Sequence, residues 1–190
     1  MGAQQHWRKV KQAAAALPPL PPLLQYLRLR AGPQRLGIPI EVVRELLEYQ
    51  PLTTLPNMPP PLCGMLNLRG SAVPVVDLAQ CLGLPAAVPQ RRSCIIILHL
   101  ADCLPSPEIG ILVDEVYAVL ELAHSEIEAP PQLGGLLPEH CIAGLLREPQ
   151  GFTVLLDARR LLSPDELARL ALPLAAPVQA DLLLQEDGHD

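Results

Sequence analysis

Apolar and polar residues alternate over short stretches of this 190-residue chain, a pattern typical of β-strands that bury one face. Residues 27–30 alternate leucine with arginine, the Ala-Gly-Pro-Gln sequence at 31–34 is a turn signal, and residues 36–40 are mainly apolar again. This segment therefore predicts a β-hairpin. The continuous apolar run at 94–100 predicts a buried strand, and 109–113 and 116–122 predict two further strands on either side of Asp114-Glu115.

Turn residues separate the remaining segments. Residues 141–146 and 152–156 predict a second hairpin that turns at Glu-Pro-Gln-Gly, 148–151. Residues 41–47 fit either a short strand or a helical turn, and five prolines exclude a regular element from 50–61. Many short strands at about ten-residue spacing predict an all-β barrel or sandwich.

One helix is predicted near the C-terminus. Ser163 supplies a capping hydroxyl, Pro164 stands at the first helical position, and Glu166 completes a capping box. Leucine or alanine at 167, 170 and 171 forms one apolar face before Pro173.

Composition narrows the class of protein. Apolar residues make up 49% of the chain, yet no run approaches the roughly 20 apolar residues that span a bilayer, so we expect a cytoplasmic protein without membrane insertion. A net charge of −6 and an aromatic content of 3% argue against a nucleic-acid binder. The alanine- and proline-rich residues 1–22 predict an extension outside the folded domain.

The cysteine and histidine pattern argues against metal binding and catalysis. The five cysteines, at 63, 81, 94, 103 and 141, form no Cys-x-x-Cys pair, so we expect reduced and mostly buried thiols. His99, Cys103, His140 and Cys141 do not have zinc-site spacing. An adjacent His140-Cys141 pair does not by itself make a nucleophile and its base, and there is no phosphate-binding loop. We therefore expect no cofactor, no metal and no enzymatic activity.

The most distinctive segment is 64–78, in which Arg69 stands beside Gly70 between two apolar strands. An arginine at such a turn is costly to bury and easy to present, so it is a candidate recognition residue.

This segment and several motifs elsewhere in the chain resemble the CheW-like adaptor family of bacterial chemosensory arrays. They are Pro-Asn-Met-Pro at 56–59, Asn-Leu-Arg-Gly at 67–70, Pro-Val-Val-Asp-Leu at 74–78, Gly-Ile-Leu-Val-Asp-Glu-Val at 110–116 and Val-Leu-Leu-Asp at 154–157. The similar blocks cover about 140 residues in the order of the family. A proline-bearing insertion at 102–107 departs from it.

The resemblance implies two small five-stranded β-barrels packed side by side with a groove between them, followed by the short C-terminal helix. The CheW-like domain would span 23–172, and an acidic tail would occupy 173–190. Val116, Ile142 and Leu145 would lie in the core of the second barrel.

The resemblance also implies a non-enzymatic scaffold that couples the cytoplasmic tip of a chemoreceptor to a CheA-type histidine kinase. Such a protein would be cytoplasmic and associated with receptor arrays at the inner membrane. The alternative is a β-barrel interaction module in a signalling pathway unrelated to motility.

Five residues fall on the family's partner-binding positions: Arg69, Glu45, Val43, Asn67 and Gly64. Arg69 and Glu45 are expected to pair, and if they are partly buried, removal of one would cost roughly 3–5 kcal/mol. Gly64 would allow a close backbone approach. Bracing of the barrel and contact with a partner both remain open for the Arg69–Glu45 pair. For Val43 the alternative is an ordinary strand position.

Overall fold

The computed structural model describes residues 22–54, 56, 58, 60–100, 108–130 and 137–162. The predicted helix after Ser163, the insertion, the acidic tail and nearly all of the N-terminal extension lie outside these residues. The described strands are β1 (Leu24–Ala31), β2 (Gln34–Pro39), β3 (Val43–Glu48), β4 (Leu62–Leu68), β5 (Ser71–Asp77), β6 (Cys94–His99), β7 (Glu108–Val113), β8 (Glu115–Leu122), β9 (Ile127–Glu128), β10 (Ile142–Glu148) and β11 (Gly151–Leu156).

The strands form two sheets. One has six strands in the order β8-β1-β2-β11-β10-β9, and the other has five in the order β3-β6-β7-β5-β4. The predicted all-β fold of two packed β units is confirmed, with the two-residue β9 as a sixth strand in the first sheet. Within the described residues, the two end strands of each sheet are not hydrogen-bonded to each other, so each barrel is open.

Strand β6 explains why the run at 94–100 is continuously apolar. Ile96 and Leu98 pack into a central core to which both sheets contribute, whereas Ile95 and Ile97 pack into a separate core of the five-stranded sheet. A strand buried on both faces needs apolar residues at consecutive positions.

The six-stranded sheet is similarly divided. Leu29 on β1 faces the central core, while Tyr26 on the same strand packs with Leu155 in a smaller core of this sheet. The residues expected in the core of the second barrel are half-buried and pack against the central core, to which strands of this sheet contribute. These residues are Val116, Ile142 and Leu145.

Asp114 connects β7 in one sheet directly to β8 in the other. Its carboxylate oxygen Oδ2 accepts hydrogen bonds from Arg30 Nη1 at 3.1 Å and from the Gly32 backbone N–H at 2.8 Å. The backbone N–H of Asp114 donates to the Arg30 carbonyl at 2.9 Å. These bonds tie the β1–β2 turn to the point where the chain passes between the sheets.

The two alternatives predicted for residues 41–47, a helical turn and a short strand, occur one after the other along the chain. A 3₁₀ turn at Ile40–Val42 leads into β3, because Val42 is buried and the chain then extends. A four-residue helix, α1 (Leu78–Cys81), was not predicted. Asp77 caps it, because its side-chain carboxylate accepts hydrogen bonds from the Ala79 and Gln80 N–H groups.

The prediction of mostly buried thiols is wrong for three of the four cysteines that the structure describes. Cys141 is buried, but Cys63, Cys81 and Cys94 are half-buried. Cys103 lies outside the described residues. The half-buried cysteines pack at the margins of the apolar clusters, where one side of the residue meets solvent.

Candidate functional site

The candidate site begins with the turn between β4 and β5. Arg69 and Gly70 both have positive φ, 54° and 90°, so the two-residue loop is a type I′ hairpin turn. The side-chain carbonyl of Asn67 accepts a hydrogen bond from the Gly70 N–H at 2.9 Å. Asn67 is exposed, and its amide holds the turn that presents Arg69.

Arg69 pairs with Glu45 on β3. Its Nη2 donates to Glu45 Oε1 at 2.9 Å and to Oε2 at 3.1 Å. Because β3 and β4 are the two end strands of the five-stranded sheet, this pair bridges the open side of that sheet. The predicted pairing is confirmed.

The expected partial burial applies to only one member of the pair. The Glu45 side chain is 27% exposed, but the Arg69 side chain is 72% exposed because it lies at the tip of a hairpin. Water and salt therefore screen the interaction, and an exposed pair contributes about 0–1 kcal/mol to stability rather than the larger value of a buried one.

Arg69 retains donors for another acceptor. Both bonds to Glu45 use Nη2, and within the described residues Nε and Nη1 make no hydrogen bond. A guanidinium carries five N–H donors in a planar fork that matches carboxylates and carbonyls. One carboxylate therefore orients the guanidinium of Arg69, and its Nε and Nη1 donors remain available to a further acceptor.

Gly64, which the resemblance places on the partner-facing side, is buried within the chain. A Cβ atom there would lie 2.7 Å from Leu52 Cβ and 2.9 Å from the Thr53 carbonyl oxygen. Thr53 and Met65 exchange backbone hydrogen bonds of 2.8 and 2.9 Å beside this glycine. The close backbone approach predicted at Gly64 is therefore made by the chain itself.

Val43 is half-buried and packs against the central core. A register shift in the pairing of β3 with β6 lies between Val43 and Glu45, so the two residues are separated by a bulge. The structure thus brings Glu45, Asn67 and Arg69 together at one end of the sheet, with Val43 nearby on β3 and Gly64 beneath the surface.

Leu46 is a residue that the sequence analysis did not single out. It lies on the end strand β3 and is 47% exposed, whereas its neighbour Leu47 packs against the core of the five-stranded sheet. Two adjacent leucines in a strand that is buried on one face cannot both point inward. That pair was the available signal for an exposed apolar residue on the face of β3 opposite to Glu45.

In the part of the chain that the structure describes, no helix is long and apolar enough to cross a membrane. Residues 25–166 match the family model of the CheW-like domain. The chain is 30% identical to chemotaxis protein CheW of Bacillus subtilis over 137 residues, covering 72% of this chain and 85% of that protein. It is 29% identical to chemotaxis protein CheW of Klebsiella aerogenes over 144 residues, covering 76% and 84%.

A similar fold is found in the crystal structure of the scaffolding protein TtCheW from Thermoanaerobacter tengcongensis. The TM-score is 0.66 at 23% sequence identity, and the match covers 75% of this chain and 90% of that one. At this identity the likeness establishes the fold. Together with the family model, which spans most of the chain, it shows that this protein belongs to the CheW-like family of chemotaxis scaffold proteins, which are not enzymes.

Proposed function

We propose that this protein couples the cytoplasmic tip of a chemoreceptor to a CheA-type histidine kinase, using the surface around Arg69 and Glu45. The observation that carries the proposal is the geometry of Arg69: an exposed guanidinium on a defined turn, oriented by one carboxylate. A structural arginine would be expected to use more of its donors internally. The chain would then act in the cytoplasm, at receptor arrays on the inner membrane.

The contact surface follows from the neighbouring residues. Asn67 is exposed beside the pair, and Val43 is half-buried on β3, the strand that carries Glu45. An exposed guanidinium with unused donors suits a helical partner that offers a carboxylate or a free carbonyl. Gly64 would support this surface from below by keeping residues 52–53 against β4.

The test is affinity capture of the full chain from its own cell lysate, with mass spectrometry of the bound proteins. Arg69→Ala should reduce recovery of the kinase, the receptor or both at least several-fold relative to wild type. Arg92→Ala is a matched control, because Arg92 is 78% exposed and also pairs with a carboxylate, that of Glu115 at 2.7 Å. Equal recovery by all three proteins would contradict the role of Arg69. Recovery of neither partner from cells that express both would contradict the coupling function.

A further inference from the structure

The end strands of the two sheets are held by different amounts of apolar core. In the five-stranded sheet, β3 and β4 each pack residues against both the central core and the inner core of that sheet. In the six-stranded sheet, the second half of β8 contributes Leu120 and Leu122 and β9 contributes Ile127, all to the small inner core. The continuous segment Val119–Glu128, which we call the flap, therefore contributes no residue to the central core.

The remaining bonds of the flap are few. Residues 119–122 pair with β1, and β9 pairs with β10 over only two positions. Glu128 binds Arg147 at 2.8 Å, but their side chains are 43% and 67% exposed, so water and salt screen this pair. Within the flap, the Glu126 carboxylate accepts a hydrogen bond from the Ala123 N–H at 2.7 Å. This bond closes the turn that joins β8 to β9, so the two strands can move as one piece.

The small core next to the flap contains two buried polar atoms without a hydrogen-bond partner among the described residues, Thr153 Oγ1 and Arg28 Nε. The strand register places both beside the flap. Leu146 on β10 pairs with Thr153 on one side and with Ile127 on the other, and Arg28 pairs with Ala118, one residue before the flap. A buried polar group without a partner costs free energy that it recovers when water reaches it. Opening of the flap would admit water to this core, so both atoms favour an open state.

We propose that the flap opens as a unit while the rest of the fold stays closed, and that the unpartnered groups of Thr153 and Arg28 set how often it opens. Opening breaks the pairing of the flap with β1 and β10 and releases its three apolar side chains from the small core. The central core, which holds β1, β2 and β11 against the other sheet, is unchanged. The flap is thus a conformational device of the six-stranded sheet, and a partner that binds only the closed flap would shift the equilibrium toward it.

Hydrogen exchange of the full-length protein, followed residue by residue by NMR, tests the proposal. Flap amides that are hydrogen-bonded to β1 should exchange at least about tenfold faster than those of β6, which is buried on both faces. Thr153→Val replaces the unpartnered hydroxyl with a methyl group of similar size and should slow exchange of the flap about threefold or more. Thr53→Val is the matched control, because Thr53 is exposed beside the other sheet, and it should leave flap exchange unchanged.

Two glycine variants test whether the flap opens separately. A Cβ at Gly144 would collide with Ile127 Cγ2 and lie 3.1 Å from the Glu128 carbonyl oxygen, so Gly144→Ala should speed flap exchange about tenfold. A Cβ at Gly110 would lie 2.9 Å from Val75 Cγ2 in the other sheet. Gly110→Ala therefore strains the fold away from the flap and should not change the exchange of the flap.

Three results would overturn the proposal. They are flap amides that exchange no faster than those of β6, equal effects of the two glycine variants on the flap, and flap exchange that Thr153→Val does not slow. If Gly144→Ala does not fold, the comparison of the two threonine variants still decides the outcome. None of these measurements requires a receptor or kinase, so the result is independent of the coupling function.

Discussion

Arg69 and Glu45 join the two strands that lie farthest apart in the order of the five-stranded sheet. The two hydrogen bonds, 2.9 and 3.1 Å long, reach from the β4–β5 turn to β3 across the open side of the sheet. In this geometry the carboxylate orients the guanidinium, and the guanidinium stays exposed, as the partner contact that we propose requires. Bracing and binding can be separated by experiment because the backbone conformation of Arg69 is itself unfavourable.

Arg69→Asn should separate these roles. A positive φ costs arginine roughly 1 kcal/mol, and asparagine tolerates it better. This gain offsets the loss of an exposed ion pair worth about 0–1 kcal/mol, so the melting temperature should be unchanged or slightly raised. Affinity for the kinase or receptor should fall about tenfold or more. Calorimetry and a binding titration measure the two effects, and a clear loss of stability with unchanged affinity would show that Arg69 only braces the sheet.

Gly64→Ala should destabilise the fold by about 1–3 kcal/mol. The new Cβ would meet Leu52 Cβ at 2.7 Å and the Thr53 carbonyl oxygen at 2.9 Å, so residues 52–53 must move away from β4. The control is Gly70→Asn in the same hairpin, where a Cβ has no neighbour within 4 Å and asparagine tolerates the positive φ. Denaturant unfolding should show a lower midpoint for the first variant and little change for the second. Similar midpoints would indicate that the 52–53 contact yields without cost.

Asp77→Ala should lower the free energy of unfolding more than Asp157→Ala does, although both aspartates cap a helical turn. Asp77 is 2% exposed, and its carboxylate accepts hydrogen bonds from the N–H groups of Ala79 at 2.8 Å and Ala87 at 2.6 Å. Its removal leaves the buried Ala79 donor and the half-buried Ala87 donor without partners, which we expect to lower the free energy of unfolding by about 2–4 kcal/mol. Asp157 accepts from the exposed Arg159 N–H, so its loss should cost about 0.5–1 kcal/mol. Equal unfolding free energies for the two variants would contradict the argument from burial.

Cys63 should react slowly with iodoacetamide in the folded protein. Burial, with a smaller contribution from the negative charge of Asp77, raises the pKa of this thiol from 9.0 to about 12. At pH 8 its thiolate fraction is then on the order of one in ten thousand. Peptide mass spectrometry should find Cys63 labelled much faster in guanidinium than in native buffer. Comparable native and denatured rates would contradict a raised pKa.

The same pKa shift predicts how stability depends on pH. The folded state holds the Cys63 proton more tightly than the unfolded state, so its stabilising contribution is complete below about pH 9 and is lost as the pH rises toward 12. Cys63→Ser should show a shallower loss of stability over this interval. An identical pH dependence for the two proteins would show that Cys63 does not titrate as described.

The sequence by itself determined the strands, the hairpin turns and the arginine that the β4–β5 turn presents. These features depend on local physics: alternation of apolar residues, glycine at positive φ and the inability of proline to donate a hydrogen bond. The continuous apolar run at 94–100 predicted β6, and the Asn-Leu-Arg-Gly sequence at 67–70 predicted the turn between β4 and β5. Each pattern is contained within a few neighbouring residues.

Only the tertiary structure decided which side chains are accessible. Gly64 is covered by residues that precede it by about a dozen positions, and Arg69 is exposed at the tip of its hairpin. Val116 faces the central core because β8 joins β1 in one sheet while β7 belongs to the other. Burial depends on which distant segments pack together, and a local apolar pattern identifies the buried face of a strand without identifying what covers it.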